Sequence, residues 1–433
     1  MTLLLRLSKN LQALQWYAFA RGALEAALLV SPRNPLFLRE LVALAAKQGN
    51  TQALMDSCHR LLAACPDDER ALETLAALEL ATGRIDAARE LLRSRAKQIP
   101  DDTTSLRLAE DALIDPERVK RDGVYVATLR DVEVETADWS ILDGDKVYNS
   151  EAHNRGLRKS PFVQGRASPD DKAFLFKLPP LSRVIDEACV HLGGDHNYCH
   201  WITRNLIKLS LLEGTPYSDL PLLINEDLRR HQQEYLDLLG IAESRLIKLA
   251  RPSVVRCREL VVPTCLVNHL KMGIGTQWLR RRLAPWMEPG LPSELLFVSR
   301  RDATVRRVTN ESELEAALLS LGFSSIVPGE MSVREQIRRF SRAQVIVGAH
   351  GAAFANLVFA PPGTQVVEIN STYKSHIPDF TFLARIAGLD FVSVISEDYD
   401  FTRQEKYWPD SDFRIDVDEV LAALRRIKPE IFS

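Results

Sequence analysis

Prolines recur at a fixed interval in the first quarter of the chain, and this spacing limits the possible folds more than any other feature. Pro32, Pro66 and Pro100 lie 34 residues apart, and Gly49 and Gly83 repeat the same interval. A period of roughly 20 to 50 residues indicates stacked repeats, each of which buries its apolar face against its neighbours. Because proline ends a helix and glycine allows a tight turn, the spacing predicts one helical hairpin per repeat.

Apolar residues on both sides of Gly83 have the spacing of two amphipathic helices. They are Leu72, Leu75, Leu78 and Leu80 before the glycine, and Ile85, Ala88, Leu91 and Leu92 after it. A helical hairpin of this period resembles the tetratricopeptide repeat, although an unrelated helical bundle with coincidental prolines is an alternative. We predict a tetratricopeptide-like array over 1–115, which would bind a protein partner or pack on a neighbouring domain.

Beyond residue 115, short apolar runs alternate with helical patterns. The predicted strands include Pro221–Asn225, Arg245–Leu249, Glu259–Pro263, Glu294–Ser299, 323–327, 344–348 and 365–369. Strands that alternate with helices indicate parallel βαβ units, so the predicted fold class is α/β. We predict two Rossmann-like halves over 123–288 and 293–433, with a ligand cleft between them and a helix closing the C-terminus. The polar stretch 140–180 is predicted to be poorly packed or a loop.

Three helices of the second half are predicted from their N-terminal signals. Asn310 with Glu313, and Ser332 with Glu335, have the spacing of a capping box. These pairs predict helices over 311–320 and 332–341, and a glycine turn predicts a third helix at 348–358.

The charge balance and the cysteines exclude several classes of protein. The chain has 55 Lys and Arg against 58 Asp and Glu, a net charge of −3, so no nucleic-acid partner is expected. Its six cysteines form no CxxC pair, as is usual for reduced thiols in a cytosolic protein. No apolar run reaches the roughly 18 residues of a membrane span, and the start lacks the order of a secretory signal. We expect a cytoplasmic protein without a transmembrane segment, with peripheral contact to the inner face of a membrane as a further option.

The segment 345–356 indicates an anion site. A buried strand ends at Gly348, turns through His350 and Gly351, and opens a helix. Glycine lets the backbone approach a ligand closely, and the free N–H groups of a helix N-terminus attract anions. The alternative is a packing turn in which His350 is a hydrogen-bonded structural residue.

The segment 299–307 follows the first strand of the same half and contains four arginines. Arginine binds phosphate oxygens in pairs, and the end of the strand directs this loop into the predicted crevice. Glu368, on a later strand, is placed to accept hydrogen bonds from ribose hydroxyls. The alternatives are a solvated charged loop and a structural carboxylate.

The segment 193–201 concentrates polar and aromatic side chains in the first half. His200 and Trp201 lie in the first turn of a predicted helix, where the helix end favours a neutral imidazole that can accept a proton. Trp201 could stack on a sugar or a base. A zinc site is the rival interpretation of His191, His196, Cys199 and His200, but their spacings fit no common zinc pattern.

Four blocks of the sequence, in this order and at similar spacing, resemble glycosyltransferase family 61. They are 197–202, Arg300 with 307–311, 332–336 and 348–356. The resemblance covers 123–400. It implies a GT-B fold, which is a pair of Rossmann-like domains. It also implies inverting transfer from a nucleotide sugar that is held by the second half.

The resemblance also implies roles for individual residues. Arg300, Arg307, His350, Gly351 and Asn356 line the diphosphate region, and we assign Ala352 and Glu368 to the donor side from their positions in the chain. His200 faces the sugar, and Asn197 and Trp201 contact the acceptor or the sugar. Arg204 stands where the family often has an aspartate, so His200 and Asp195 are both candidate bases. Gly351-Ala352-Ala353 replaces the usual Gly-Ala-Gly, which implies an altered phosphate turn.

These features predict a glycosyltransferase that acts on a polysaccharide or lipid-linked glycan. No metal or other cofactor is expected, since arginines and the helix N-terminus would neutralise the diphosphate. A protein glycosyltransferase whose repeats recruit the acceptor is an alternative. A second alternative is a non-catalytic scaffold with a degenerate transferase module.

Overall fold

The computed structural model is mixed α/β, with helices in the N-terminal part and sheets after it. It describes residues 2–13, 16–93, 105–112, 114, 124–149, 160–167, 173–266, 269–372, 379–396, 399–400 and 411–432. The helices that precede the first strand are α1 (Thr2–Ala13), α2 (Tyr17–Val30), α3 (Pro35–Gln48), α4 (Thr51–Ala64), α5 (Glu69–Ala81) and α6 (Ile85–Arg93).

Local capping explains where these helices begin and end. The side chains of Asn34, Asn50 and Asp68 accept hydrogen bonds from backbone N–H groups in the first turns of α3, α4 and α5. Gly49 ends α3 in the left-handed conformation, with φ of 64°. Paired helices therefore occur where the prolines predicted them, over 35–93. Their tetratricopeptide arrangement remains a prediction, and Pro100 lies outside the described residues.

The last hairpin of the array packs directly on the sheet that follows it. Glu73 of α5 pairs with Lys177, and Arg89 of α6 pairs with Glu110. Gly165 approaches α5 so closely that an added Cβ would lie 3.0 Å from the Cβ of Ala77. The array and the sheet thus share one apolar cluster and are not joined by a linker alone.

An eleven-stranded mixed sheet occupies the middle of the chain. Its strands are β1 (Ser105–Asp111), β2 (Val126–Glu135), β3 (Ser140–Asp143), β4 (Lys146–Tyr148), β5 (Val163–Arg166), β6 (Ala173–Leu178), β7 (Arg183–Ile185), β8 (Cys189–His191), β9 (Leu222–Asn225), β10 (Leu246–Leu249) and β11 (Val254–Pro263). The strand order is β10-β9-β8-β11-β2-β3-β4-β1-β6-β5, with β7 beside β11. The strands β10, β9, β8, β11 and β7 pair in parallel, as βαβ units predict. The remaining pairs of the sheet are antiparallel, except that β1 and β4 are parallel.

Two features of this sheet differ from the sequence-based predictions. The range 1–115 includes strand β1, which pairs with β4 and β6. The stretch 140–180 contributes four strands, so its prediction as a poorly packed stretch or loop is wrong for the described residues. A hairpin turn at Gly144, with φ of 60°, joins β3 to β4, and the apolar run of β6 is buried. These strands are short, which hid them among the surrounding polar residues.

The C-terminal part is built on a five-stranded parallel sheet. Its strands are β12 (Glu294–Val298), β13 (Ser324–Ile326), β14 (Ala343–Ala349), β15 (Gln365–Ser371) and β16 (Asp390–Ser396), in the order β13-β12-β14-β15-β16. A separate hairpin pairs β17 (Tyr399–Asp400) with β18 (Asp412–Phe413). Residues of β12, β14 and β15 point alternately into two apolar clusters, so helices cover both faces. The strand order reverses between β12 and β14, which is where ligands bind in such sheets.

The remaining helical elements connect these strands. They are Tyr198–His200, a π-turn at Trp201–Asn205 and a 3-10 helix at Leu206–Leu211, then α7 (Arg230–Leu238), α8 (His269–Leu283), α9 (Glu311–Ser320), α10 (Val333–Phe340), α11 (Asp379–Ala387) and α12 (Val417–Ile427). Shorter 3-10 segments lie at Glu243–Arg245, Ala284–Trp286, Pro328–Glu330, Ala352–Phe359 and Pro429–Phe432. Within the described residues, no helix combines the length and the apolar character needed to span a membrane.

Of the two predicted N-caps, Ser332 makes the expected bond and Asn310 does not. Ser332 does cap α10, because its hydroxyl accepts a hydrogen bond from the N–H of Glu335 at 3.2 Å. Asn310 precedes α9 but makes no such bond. Its side chain instead donates to the carbonyl of Ile415 and accepts from the N–H of the same residue. The predicted helix 348–358 is a 3-10 helix over Ala352–Phe359.

Candidate functional site

A cavity of about 300 Å³ opens at the carboxyl ends of β12 and β14. Its walls come from both halves of the chain: Tyr198, Arg230, His231 and Glu234 on one side, and Ser299, Arg300, Asp302, Ala303, Pro328, Gly329, Met331, Gln336, Ala352 and Ala353 on the other. The cavity therefore lies where the reversal of strand order predicts a ligand, between the parts that were expected to form a cleft.

Arg300 is one of four charged residues that line this cavity, with Arg230, Glu234 and Asp302. Its Nη2 donates to the carbonyl of Val305 at 3.1 Å, while its buried Nε has no partner among the described residues. Burial, and then the neighbouring Arg306, lowers the pKa of Arg300 to about 10, so the guanidinium remains charged at neutral pH. A buried cation with an unused donor is stabilised by an anionic ligand.

Gly351 makes room for this guanidinium. An added Cβ would lie 1.7 Å from Nη1 of Arg300. The backbone of Gly351 is extended, with φ of −175°, so the side chain of another residue is excluded by the contact and not by the conformation.

We predict that Gly351→Ala weakens diphosphate binding by about tenfold, as expected for one displaced charged hydrogen bond. Arg300 can swing away because its guanidinium is the end of a flexible side chain, so we expect the unfolding temperature to change little. Calorimetric titration and thermal unfolding measure the two quantities. Gly22→Ala is the control, since an added Cβ at Gly22 meets nothing within 4 Å. Unchanged diphosphate affinity in Gly351→Ala would contradict this role of the Arg300–Gly351 contact.

His200 and Asp195 form a hydrogen-bonded pair. The Nδ1 of His200 lies 2.9 Å from Oδ2 of Asp195, whose side chain is buried. Asn197 positions the turn, because its Oδ1 accepts from the N–H of His200 at 3.1 Å. Since the carboxylate accepts the Nδ1 proton, Nε2 of His200 is left as a proton acceptor. The structure thus brings both candidate bases into direct contact.

His350 and Glu368 form a second pair of the same kind. Their Nδ1 and Oε1 atoms lie 2.8 Å apart, and the other oxygen of Glu368 accepts from Ser393 at 2.9 Å and Asn370 at 3.4 Å. Glu368 is buried, and both of its carboxylate oxygens have partners in this structure. Its predicted contact with a ribose hydroxyl stays a prediction.

Four other side chains with predicted ligand contacts lie outside the lining of the cavity. Trp201 is fully buried in the apolar cluster that both halves share, so it cannot stack on a sugar. Arg307 binds Asp412 through Nε and Nη2, at 2.9 and 2.6 Å. Asn356 is fully buried and bonds Tyr198 and Gln336, so it does not line a diphosphate site. The side chain of Asn197 is used as the cap of the His200 turn.

The sequence did not reveal the residues that α7 contributes to the cavity. His231 packs against Tyr198, with ring centroids 5.3 Å apart, and burial lowers the pKa of His231 to about 4. Glu234 accepts hydrogen bonds from Arg230 and from the N–H of Val333. Nothing in the sequence of α7 distinguished its cavity face from an ordinary polar face. Among the described residues, no group of His, Cys, Asp and Glu side chains is arranged to hold a metal ion.

Comparison with known proteins identifies the type of domain. Residues 198–367 match the family model described as Glycosyltransferase 61. The match contains every residue that lines the cavity, and it contains His200 and His350 but not their partners Asp195 and Glu368. Of the four sequence blocks it leaves out only Asn197. It covers 170 of the 433 residues, a narrower region than the predicted 123–400.

Three curated plant proteins are similar to parts of this chain. A beta-1,2-xylosyltransferase of Oryza sativa subsp. japonica is 30% identical over 118 residues, 23% of this chain and 22% of that protein. One of Arabidopsis thaliana is 39% identical over 61 residues, 14% and 11% of the two chains. A second beta-1,2-xylosyltransferase of Oryza sativa subsp. japonica is 26% identical over 201 residues, 41% and 35%. The chain thus spans between about a tenth and a third of the length of these relatives. Together the matches support a glycosyltransferase.

Proposed function

We propose that this chain transfers a sugar from a nucleotide sugar to a glycan acceptor, with inversion at the anomeric carbon. In this proposal the two halves form a GT-B-like pair, and the second half holds the nucleotide sugar. The observation that carries the proposal is Arg300, a partly buried cation that lines a cavity between the two halves and whose Nε has no partner among the described residues. The histidine–carboxylate pair of His200 and Asp195 lies on the turn that supplies Tyr198 to the same cavity.

The donor diphosphate would lie against Arg300 and the start of the 3-10 helix Ala352–Phe359. The first N–H groups of a helix lack intrahelical partners and attract anions, and Ala352 and Ala353 line the cavity. Together with the guanidinium they stabilise the negative charge of the leaving diphosphate. In this proposal no metal ion is needed, and His350 next to Gly351 is held at the same edge by Glu368.

The acceptor hydroxyl would lose its proton to Nε2 of His200. Its oxygen forms a bond to the anomeric carbon while the bond from that carbon to the diphosphate oxygen breaks, and the leaving diphosphate takes the bonding electrons. Asp195 stabilises the imidazolium that results and keeps the ring oriented. Arg204, where a carboxylate was expected from the family, supplies no base.

The acceptor, the donor sugar and the location of the reaction belong to this proposal as well. The acceptor would be a polysaccharide or a lipid-linked glycan, in the cytoplasm or at the inner face of a membrane. A protein acceptor recruited by the helical array is the second candidate, since the array is fixed to the sheet by the Glu73–Lys177 and Arg89–Glu110 pairs. Because the relatives are named xylosyltransferases, xylose belongs among the donor sugars to be tested.

A thermal-unfolding screen tests the proposal and separates the enzyme from a scaffold. We expect at least one nucleoside diphosphate, and its sugar conjugates, to raise the unfolding temperature of the wild-type chain and not that of Arg300→Ala. UDP, GDP and CDP are tested separately, with the monophosphates for comparison. A screen in which no nucleotide stabilises the wild type would favour the non-catalytic scaffold.

A further inference from the structure

A chain of three hydrogen bonds connects the turn of His200 to the cavity wall of the other half, part-buried at Tyr198 and buried beyond Asn356, and Tyr235 adds a fourth bond at its start. Tyr198 and Tyr235 have their hydroxyl oxygens 3.0 Å apart, and the Tyr198 hydroxyl donates to Oδ1 of Asn356 at 2.7 Å. Asn356 Nδ2 donates to Oε1 of Gln336 at 2.8 Å, and Gln336 Nε2 donates to the carbonyl of Pro328 at 2.9 Å. We refer to Tyr198, Asn356 and Gln336 as the relay.

The direction of every bond in the relay follows from its last acceptor. The carbonyl of Pro328 can only accept, so Gln336 must present its amide nitrogen there and its oxygen to Asn356. Asn356 must then present its nitrogen to Gln336 and its oxygen to Tyr198. The single hydroxyl proton of Tyr198 is used on Asn356, which leaves Tyr235 as the donor to Tyr198. Burial raises the pKa of both tyrosines, so both keep their protons.

Both ends of the relay lie at functional positions. Pro328 and Gly329 line the cavity next to Arg300, and Tyr198 lies two residues before His200 in the same short turn. Asn356 and Gln336 are buried, so no solvent competes for their amides. A shift of the 328–331 wall on ligand binding would break the bond to Gln336 unless the whole relay moves with it.

We propose that Tyr198, Asn356 and Gln336 are positioning residues that couple occupation of the cavity to the placement of His200. This inference rests on the proposed function, since it takes a nucleoside diphosphate as the ligand of the cavity. In this proposal Asn356 connects Tyr198 of the first half to Gln336 of the second. The family resemblance implied instead that Asn356 contacts the diphosphate.

The test compares backbone hydrogen exchange with and without a nucleoside diphosphate, using whichever of UDP, GDP and CDP stabilises the wild type most. In the wild type we expect slower exchange both in the cavity wall, 299–303 and 328–331, and in the His200 turn, 197–205. In Tyr198→Phe the ligand should still slow hydrogen exchange in the cavity wall. Its slowing of exchange in the His200 turn should fall to less than about half of the wild-type effect. The ring is retained, so direct contact between the ligand and the side chain is preserved.

Two further variants exclude a general structural effect. Tyr148→Phe removes a hydroxyl that donates to Asp143 on a distant hairpin, and it should behave as the wild type. Gln336→Met breaks the relay at its other end with little change in volume, and it should uncouple the turn in the same way even if Tyr198→Phe fails to fold.

The outcomes distinguish failure of the relay from failure of the proposed function. Protection of the wall without the turn in the wild type, or full protection of the turn in both Tyr198→Phe and Gln336→Met, would overturn the relay alone. No protection of either segment by any of the three diphosphates would reject the nucleotide site and the relay together.

Discussion

Replacing His200 by alanine should lower the turnover of sugar transfer by about 10²- to 10⁴-fold, the usual contribution of a general base. The affinity for the nucleoside diphosphate should stay within about threefold, because His200 contributes no side chain to the cavity wall that surrounds Arg300. Steady-state kinetics with an identified donor and acceptor measure the first quantity, and calorimetry measures the second.

The matched variant Asp195→Asn separates the two members of the pair. An asparagine would present an N–H group to Nδ1 of His200 or would have to turn away, so the ring would lose its orienting acceptor. We expect turnover to fall by about 10²-fold or more, as for other histidine–aspartate pairs. His59→Ala, at an exposed position on α4, is the control for loss of a histidine. If Asp195→Asn abolishes turnover while His200→Ala keeps most of it, the carboxylate is the base and the two roles are reversed.

Arg300→Ala should weaken binding of a nucleoside diphosphate by about 1.5 to 3 kcal/mol, which is roughly 10- to 150-fold in the dissociation constant. The reason is the loss of a buried charged donor whose Nε has no partner among the described residues. Calorimetric titration of the nucleoside diphosphate measures the change directly.

Two neighbouring arginines serve as controls for this prediction. Arg301 is half exposed and pairs with Glu315, so Arg301→Ala should bind nearly as the wild type. The sequence placed Arg307 on the donor side together with Arg300, so a similar loss of affinity was to be expected for Arg307→Ala. The structure changes that expectation, since the guanidinium of Arg307 is already engaged by Asp412. Equal affinity in the wild type and Arg300→Ala would remove Arg300 from the site.

The second half was predictable because its strands are continuous apolar runs separated by strong helix signals. Each predicted strand from 294 to 369 lies within a residue or two of the observed β12, β13, β14 and β15. Apolar runs, glycines and N-caps are local signals, and in this half they agree with the tertiary structure. The first half was less predictable, since β1 pairs with β6 and β2 with β11, which are partners far away in sequence.

The positions of the site side chains depended on tertiary packing that the sequence does not reveal. The sequence placed His200 near Asp195, five residues apart, and the structure shows their contact. It could not show that Glu368 would pair with His350, or that Arg307 would pair with Asp412, because those partners lie 18 and 105 residues apart. Tryptophan occurs both in ligand sites and in apolar cores, so the burial of Trp201 could not be predicted from its residue type.

The measurement that tests the central claim most directly is a crystal structure of the full chain with the best-binding nucleoside diphosphate. We predict density for the two phosphate groups between the Arg300 guanidinium and the N–H groups of Ala352 and Ala353, with His200 across the cleft. A nucleotide bound at another surface, with the Arg300 cavity empty at saturating concentration, would contradict the proposed donor site.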